Sequence, residues 1–284
     1  MKKLNLTSVL FFLGPVIATI MGMISAHYFE VDMKFFIPNI AAIIVGIPMA
    51  LLVAFKWKKR VKKELLVVGF VSIALLASCF LFPGVNMVHR WISFGSISIN
   101  VSMIVLPLIL FCIHQLLRQK FHTYAVVFLC LTGLLLSAQP DAGQTSAFGA
   151  AAILIFLINK GPWSIKGGAL VIVSLFLFMA WNRVDLLETV DEAEDILSMI
   201  WDFGPIGYIG LGIVTLLVTF PFVFFAFKGS ERALSLAFVA YFITQLVVSQ
   251  IGNYPVPLLG AGASAVVGWY IMLGFASSKN NIHL

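Results

Sequence analysis

Apolar segments of roughly membrane-spanning length follow one another from the start of this chain to its end. A helix needs about 20 predominantly apolar residues to cross a bilayer, and 61% of the 284 residues are hydrophobic while 11% are charged. The mean hydropathy of +1.05 is typical of membrane proteins. Ten such segments can be counted: residues 7–28, 35–55, 65–83, 99–117, 124–138, 143–159, 167–182, 203–227, 233–252 and 261–277.

The sequence therefore predicts an all-α polytopic membrane protein with about ten transmembrane helices, in a single transmembrane domain over residues 1–284. Merging the fifth segment with the sixth would give nine helices. The three cysteines, Cys79, Cys112 and Cys130, all fall inside predicted spans. They indicate small buried hydrophobic side chains rather than a disulfide framework or a metal site.

The basic residues are distributed unevenly between the connecting segments. With the N-terminus placed in the cytoplasm, only Lys34, Arg90 and Arg183 of the 18 Lys and Arg residues fall outside. This bias follows the positive-inside rule and predicts that both termini are cytoplasmic. The net charge of +6 needs no nucleic-acid partner, because the basic run 56–63 directly follows a span, where it would meet anionic lipid headgroups. Membrane lipids are therefore expected partners, and nucleic acid is not.

Polar residues and helix breakers are concentrated on the predicted outer side, and they carry most of the information about function because polar groups are costly inside a membrane. They lie in four segments: residues 84–100, 138–147, 181–204 and 253–264. The first three have simple structural interpretations. The first would be an interfacial loop anchored by Trp91, the second a solvated turn or helix cap around Asp141, and the third a solvated acidic surface.

The large external loop, residues 182–202 between the seventh and eighth predicted helices, is strongly acidic. The wider segment 181–204 holds seven acidic residues against one arginine. The apolar residues from Ile196 to Trp201 follow the acids directly and could draw that end of the loop onto the membrane surface. A carboxylate held there, partly out of water, would have a raised pKa and could act as a general base.

Residues 253–274 combine helix breakers with an otherwise apolar composition. Pro255 and Pro257 are followed by Gly260 and Gly262. In lipid, irregular backbone is tolerated only where protein or a water-filled cavity satisfies the freed polar groups. The stretch therefore predicts a re-entrant, protein-covered Pro/Gly turn before the tenth helix, in which small residues allow tight packing.

Four stretches resemble the signatures of one protein family, in the family's order. HRWISFGSISINVS is similar to R-W-I-x-L-G…Q-P-S-E, and AQPDAGQTSA to Q-P-D-x-G-T. DFGPIGYIG resembles E-x-L-G-x-x-G, and YPVPLLGAGASAVVGWYIMLG resembles L-P-x-T-G-x-x-L-P-F-x-S-Y-G-G-S-S…LG. These signatures belong to the SEDS family, the RodA-, FtsW- and SpoVE-type proteins of bacterial shape, division and sporulation. The matches span residues 90–274, and the chain resembles a divergent member with the family's ten helices.

The resemblance implies a peptidoglycan glycosyltransferase that polymerises lipid II or a similar undecaprenyl-linked substrate. It would act on the outer face of the bacterial cytoplasmic membrane, with a class B penicillin-binding protein as a possible partner. The family's essential Asp precedes the eighth helix, where Asp195 is the nearest match in this chain. Counting back without gaps from Gly204 falls between Glu192 and Glu194, which remain alternatives for the catalytic base.

The same resemblance implies a substrate-binding set on the outer side. A departing lipid diphosphate calls for cations, and the planar guanidinium groups of Arg90 and Arg183 suit it. The other members of the set are Trp91, Gln139 and Asp141. No cofactor is predicted with certainty, and assistance by a divalent metal is left open.

Three departures from the family pattern leave other functions open. Met103 stands in place of the family's Glu and Leu106 in place of its Lys, and the terminal signature has lost a Tyr and hydroxyl groups. A catalytically degenerate scaffold or regulator that binds lipid-linked precursor or a penicillin-binding protein is one alternative. A transporter of lipid-linked substrate is another, because transporters also have broken helices near polar sites. The near absence of ionisable residues around the bilayer midplane counts against it.

Overall fold

The computed structural model describes residues 6–57, 61–86, 88–95, 97–183, 187, 190–229, 231–252 and 254–278. In this part of the chain the α-helices, numbered in chain order, are α1 (Leu6–Tyr28), α2 (Ile37–Lys56), α3 (Lys62–Ser78), α4 (Val101–Arg118), α5 (His122–Ala138), α6 (Ala142–Ile158), α7 (Trp163–Trp181), α8 (Ile196–Trp201), α9 (Pro205–Lys228), α10 (Arg232–Val248) and α11 (Ala263–Ser277). An antiparallel hairpin of β1 (Trp91–Phe94) and β2 (Ile97–Asn100) precedes α4. Short 3-10 helices, Met33–Phe36 and Cys79–Leu81, adjoin α2 and α3.

The helical membrane class predicted from the sequence is confirmed, and each predicted apolar segment corresponds to one long helix. Six helical stretches are long and apolar enough to cross a membrane: Val9–Tyr28, Met33–Lys56, Lys62–Leu81, Val101–Arg118, Trp163–Trp181 and Pro205–Lys228. The other long helices, α5, α6, α10 and α11, have 15 to 17 residues. The number of membrane crossings, ten or nine, therefore stays a prediction.

The hairpin is an addition to the all-α prediction and replaces part of the expected interfacial loop. Trp91 pairs with Asn100 and Phe94 with Ile97. Gly95, which follows β1, has a φ of 62°, a left-handed conformation that glycine adopts without steric cost. Asn100 ends the hairpin and accepts a hydrogen bond from the backbone nitrogen of Met103 at 3.4 Å, which caps α4.

The chain divides into two compact units, which we describe separately. Unit 1 comprises residues 1–58, 188–232 and 246–284, and unit 2 comprises residues 59–187 and 233–245. Unit 1 therefore contains α1, α2, α8, α9 and α11. Unit 2 contains α3 to α7, the hairpin and the middle of α10. The single transmembrane domain over residues 1–284 stays a prediction.

In unit 1, α2 and α11 approach each other closely. A Cβ placed on Gly46 of α2 would lie 2.2 Å from the ring of Tyr270 on α11, so a glycine is needed there. The indole nitrogen of Trp269 donates to the carbonyl of Val218 at 3.1 Å, and the hydroxyl of Tyr270 donates to the carbonyl of Phe12 at 3.2 Å. These large aromatic side chains are buried with their polar atoms hydrogen-bonded, as a stable apolar core requires.

In unit 2, α4 is enclosed by its neighbours. Fifteen of its 18 residues are buried, and it packs against α3, α5 and α6. Met103 and Leu106, which replace the family's Glu and Lys, are 6% and 0% exposed. Both side chains therefore belong to the apolar core of this unit.

Candidate functional site

Five buried side chains of unit 2 form a group that we call the polar cluster. They come from the residue before β1, the α5–α6 connection, the first turn of α6, and α10. They are Arg90, Gln139, Asp141, Gln144 and Tyr241. Each is no more than 3% exposed. Buried polar groups are stable only with hydrogen-bonding or ionic partners, so the contacts of these residues decide what the cluster does.

An ion pair joins the first two of the predicted substrate-binding segments. The Nε of Arg90 lies 3.6 Å from Oδ2 of Asp141, and the two side chains are 4% and 0% exposed. The Nη2 of Arg90 also donates to the carbonyl of Pro140. A buried charge of either sign is costly without its partner. The pair therefore fixes the start of the hairpin to the α5–α6 connection, with the charge of Arg90 balanced by Asp141.

Asp141 also determines where α6 begins. Its Oδ1 accepts a hydrogen bond from the backbone nitrogen of Gln144 at 3.0 Å, the geometry of a helix N-cap. The hydroxyl of Thr145 donates to the carbonyl of Asp141 at 2.6 Å. One carboxylate therefore serves both as a helix cap and as the partner of a buried arginine. Asp141 is thus both the helix cap and the polar-site residue that the sequence predicted as separate possibilities.

Gln139 and Gln144 extend the cluster to two further helices. The Nε2 of Gln139 donates to the carbonyl of Leu76 on α3 at 3.1 Å. The hydroxyl of Tyr241 on α10 donates to Oε1 of Gln144. The α5–α6 connection is thus held from both sides by side-chain hydrogen bonds in a water-poor interior, where such bonds are strong.

Arg183 and Trp91 lie at the exposed edge of the same region. The Nη1 of Arg183 donates to the carbonyl of Ala138, the last residue of α5, at 3.2 Å, and its side chain is exposed. Trp91 is half-buried, and its ring lies 5.9 Å from the guanidinium carbon of Arg90. The predicted substrate-binding residues are therefore neighbours in unit 2, and Arg183 is the more accessible of the two arginines.

The described part of the large loop in unit 1, residues 190–195, is called the acidic loop below. Glu192, Glu194 and Asp195 are partly exposed, and Asp191 is exposed. The backbone nitrogens of Ala193 and Glu194 donate to the carbonyl of Val190 at 2.9 and 2.7 Å. Residues 184–186, 188 and 189 of the predicted loop lie outside the described residues.

Helix α8 begins directly after Asp195 and anchors the acidic loop to unit 1. Its residues Ile196, Leu197 and Ile200 are buried, and the helix packs against α1 and α9, so this part of its apolar surface is covered by protein. Met199 is half-buried and Trp201 is 40% exposed, so docking of this end of the loop on the membrane surface stays a prediction. Among the described residues, the carboxylate of Asp195 makes no capping hydrogen bond to α8.

The Pro/Gly turn, residues 254–262, pairs with the acidic loop through backbone atoms. The nitrogen of Val256 donates to the carbonyl of Ala193, and that of Ala261 donates to the carbonyl of Glu192, both at 2.8 Å. A Cβ on Gly260 would lie 2.3 Å from the carbonyl oxygen of Ala193, so only glycine fits this approach. The path of the acidic loop is therefore set in part by main-chain hydrogen bonds from the Pro/Gly turn.

Asn39 of α2 holds the other side of this turn. Its Nδ2 donates to the carbonyl of Gly260 at 3.0 Å, and its Oδ1 accepts from the nitrogen of Gly262 at 2.7 Å. The side chain is fully buried. Pro255 is half-buried and Pro257 buried, and both lie in the irregular stretch after α10, which ends at Val248. The freed backbone groups of the turn thus find protein partners, as membrane depth would demand.

Sequence reasoning did not single out Asn39, Tyr241 or Gln245 as part of a site. Tyr241 and Gln245 are four residues apart on α10, both almost fully buried, and Gln245 also contacts the Tyr241 hydroxyl. Polar residues at this spacing share one helix face. The sequence did carry a signal for them, because polar residues are costly in lipid. Asn39 is isolated within one apolar segment, and Tyr241 and Gln245 form a polar pair within another.

No metal-binding group of three or more His, Cys, Asp or Glu side chains is present in the described part of the chain.

The fold matches solved structures over nearly the full chain. Rod shape determining protein RodA of Thermus thermophilus is 19% identical, with a TM-score of 0.72 and 94% of both chains covered. A mutant of the same protein with one Asp replaced by Ala gives a TM-score of 0.73, 18% identity and coverage of 94% of this chain and 95% of that one. A structure described as showing structural coordination of polymerization and crosslinking by a peptidoglycan synthase complex contains a chain that is 17% identical. Its TM-score is 0.66, with 95% and 96% covered.

No protein-family model and no curated protein matches the sequence. At these identities the structural matches show the fold, which is that of RodA, and they confirm the SEDS-like architecture expected from the four motifs. Together with the apolar helices, they show a multi-pass membrane protein.

Proposed function

We propose that this chain is a SEDS-like peptidoglycan glycosyltransferase that polymerises lipid II, or a similar undecaprenyl-linked substrate. It would act on the outer face of the bacterial cytoplasmic membrane, with both termini in the cytoplasm. The observation that carries the proposal is the RodA fold over 94% of both chains. Four sequence stretches that resemble SEDS signatures, in the family's order, support it.

The chemistry assigns a role to the acidic loop. A sugar hydroxyl loses its proton to a carboxylate while its oxygen forms a bond to the anomeric carbon of a second sugar, and the bond from that carbon to the lipid diphosphate breaks. Asp195 is our candidate for this base, with Glu192 and Glu194 as alternatives. Its partial exposure leaves room for a substrate hydroxyl. Backbone hydrogen bonds from the Pro/Gly turn help to fix the path of the loop that carries these carboxylates.

The departing diphosphate needs positive charge, and the two predicted arginines differ in what they offer. Arg183 is exposed and donates one hydrogen bond to a carbonyl, so most of its guanidinium remains accessible. Arg90 is buried against Asp141. We therefore assign direct diphosphate contact to Arg183 and the holding of the α5–α6 connection to Arg90, Gln139 and Asp141.

A class B penicillin-binding protein is the proposed partner. One structural match comes from a peptidoglycan synthase complex in which polymerization and crosslinking are coordinated. Such a partner would join the polymerised strands that this chain produces. Activity is therefore to be assayed both with and without candidate partners.

The test is polymerisation of fluorescent lipid II by the purified full chain in nanodiscs, with products separated by gel electrophoresis. Asp195→Ala should reduce the rate by roughly 10²- to 10⁴-fold, the usual contribution of a general base. Asp191→Ala, which removes an exposed carboxylate of the same loop, is the matched control and should retain activity. Full activity in all three variants Asp195→Ala, Glu192→Ala and Glu194→Ala would show that the acidic loop does not supply the catalytic base.

A catalytically degenerate scaffold is the second candidate, and one observation favours it. Met103 and Leu106, in place of the family's Glu and Lys, are buried in the apolar core of unit 2. A scaffold would yield no polymer with any partner but would still co-purify with a penicillin-binding protein or retain lipid II. Absence of polymer together with retained binding would favour the scaffold function over the glycosyltransferase function.

A further inference from the structure

We propose that one face of α3 is a binding site for an anionic phospholipid, in which two lysines hold the phosphate and an apolar groove holds an acyl chain. The groove has a volume of about 490 Å³ and is lined by Lys62, Lys63, Leu66, Val67, Phe70 and Val71. The inference does not depend on the glycosyltransferase proposal, and its test needs no enzymatic activity.

The residues of the groove form one stripe along the helix. Lys63, Val67 and Val71 are four residues apart, and Lys62, Leu66 and Phe70 form a parallel row. Residues at this spacing lie above one another on a helix surface. The stripe therefore carries positive charge at the N-terminal end of α3 and apolar groups over the next two turns.

The apolar part of the groove is open to the surroundings. Val67, Phe70 and Val71 are 55%, 44% and 54% exposed. The position of Phe70 in the groove is fixed, because its ring packs edge-on against that of Phe128 with centroids 5.1 Å apart. Since Lys62–Leu81 is apolar and long enough to span a membrane, this face meets lipid tails.

The charged end of the groove is formed by two lysines, one positioned by aromatic rings and the other exposed. The Nζ of Lys62 lies 4.5 Å from the ring centroid of Phe121 and 4.2 Å from that of Tyr124, which holds its position at the end of the groove. Lys63 is exposed beside it. Glu64, the next residue along the helix, accepts a hydrogen bond from the backbone nitrogen of Val61 at 3.3 Å.

Charge and shape together specify the ligand. Two cations at a membrane boundary favour an anionic headgroup by electrostatic attraction, and an adjoining apolar groove favours a hydrocarbon chain. An anionic phospholipid carries both groups in one molecule: a phosphate at the interface and a chain running into the membrane. A zwitterionic lipid offers the chain but less net charge.

Native mass spectrometry of the detergent-purified full chain tests this site, with phosphatidylglycerol and phosphatidylethanolamine as probes. Wild type should retain phosphatidylglycerol preferentially. The double variant Lys62→Gln/Lys63→Gln should weaken phosphatidylglycerol binding about fivefold for each lysine removed, the effect of one cation near a membrane surface. Phosphatidylethanolamine binding should change little.

Lys228→Gln is the matched control, because Lys228 is exposed at the end of α9 and its Nζ also lies near an aromatic ring, 5.3 Å from that of Phe224. It should leave phosphatidylglycerol binding unchanged. Val67→Trp fills the groove without changing charge and should weaken both lipids, while Val45→Trp on the exposed face of α2 should weaken neither. If the double variant does not fold, Lys63→Gln alone takes its place, since that side chain is exposed.

Three results would overturn the proposal. Equal retention of the two lipids by wild type would exclude selection by charge. An equal loss in Lys228→Gln would show general attraction to a basic surface. Displacement of phosphatidylglycerol by glycerol phosphate, which has no chain, would show a phosphate site in which the groove takes no part.

Discussion

The polar cluster of unit 2 and the acidic loop of unit 1 both carry charged residues that the sequence singled out, but they are held in opposite ways. In the polar cluster, the side chains of Arg90 and Asp141 themselves form the structure. In the acidic loop, backbone atoms of the Pro/Gly turn and the side chain of Asn39 hold the chain, and the carboxylates remain partly exposed. Substitution of Arg90 or Asp141 should therefore destabilise the first region, whereas substitution of the exposed Asp191 should leave the second folded.

The largest effect is expected for Asp141→Ala. It leaves Arg90 buried without its carboxylate partner and removes the cap of α6, so the free energy of unfolding should fall by about 3–5 kcal/mol. Asp141→Asn keeps an oxygen for the cap and should lose less. Unfolding in detergent with increasing denaturant would measure both. Equal stability of Asp141→Ala and of the loop control Asp191→Ala would show that the two regions do not differ.

Asn39→Ala should cost about 2–3 kcal/mol, because it leaves the buried carbonyl of Gly260 and the part-buried nitrogen of Gly262 without their side-chain partner. Hydrogen exchange should then quicken at Gly262 and at Ala261, whose nitrogen donates to the acidic loop. Thr19→Val removes a longer bond, 3.4 Å, to the carbonyl of Leu258 and is the milder control. Unchanged exchange in Asn39→Ala would mean that the loop is held without this residue.

Gly260→Ala tests the contact between turn and loop directly. The new Cβ would meet the carbonyl oxygen of Ala193 at 2.3 Å, so the loop must move, at a cost of about 2 kcal/mol. Gly262→Ala is the control two residues away, where a Cβ meets nothing within 4 Å. The thermal midpoints of the two variants should separate clearly. Coinciding midpoints would contradict the close backbone approach.

The smallest effect on stability is expected at Asp32, whose carboxylate interacts with a residue close to it in sequence. Its side chain accepts from the backbone nitrogen of Lys34 at 2.9 Å and pairs with the Lys34 ammonium at 3.2 Å. The backbone hydrogen bond, followed by the side-chain contact, lowers the pKa of Asp32 below its ordinary value of 3.8. A lowered folded-state pKa stabilises the folded form above the unfolded value, and this is lost as pH falls through the folded pKa.

Hydrogen exchange at Lys34 should therefore quicken only when the pH drops below about 4, the ordinary range of an aspartic acid. Asp32→Asn, which cannot ionise, should show no such change. An identical pH response in wild type and Asp32→Asn would assign the effect to other groups.

Local sequence predicted the helices of this fold because apolar length and helix breakers report directly on membrane crossings. The α5–α6 connection was found in the same way, from Gln139 to Thr145. The pairing of Arg90 with Asp141 was beyond local reasoning, since it joins positions about fifty residues apart. The hairpin left a signal that was missed: apolar and polar residues alternate along ISIN, the period of a strand.

The acidic loop also shows that local sequence cannot predict contacts between distant residues. Composition predicted carboxylates before the eighth long helix, but it could not choose between Glu192, Glu194 and Asp195, because all three are partly exposed on one short stretch. It also gave no hint that Asn39, more than 150 residues earlier, would hold the turn beside them. Such contacts depend on how helices pack, and the periodicity of one segment carries no information about its distant neighbours.

The hydrogen bonds from Val256 and Ala261 to the loop carbonyls have an evolutionary consequence. A main-chain bond survives exchange of the side chain on the residue that makes it. Substitution at Asp191, whose side chain is exposed, can therefore remove or restore an acid while these main-chain bonds persist in descendants.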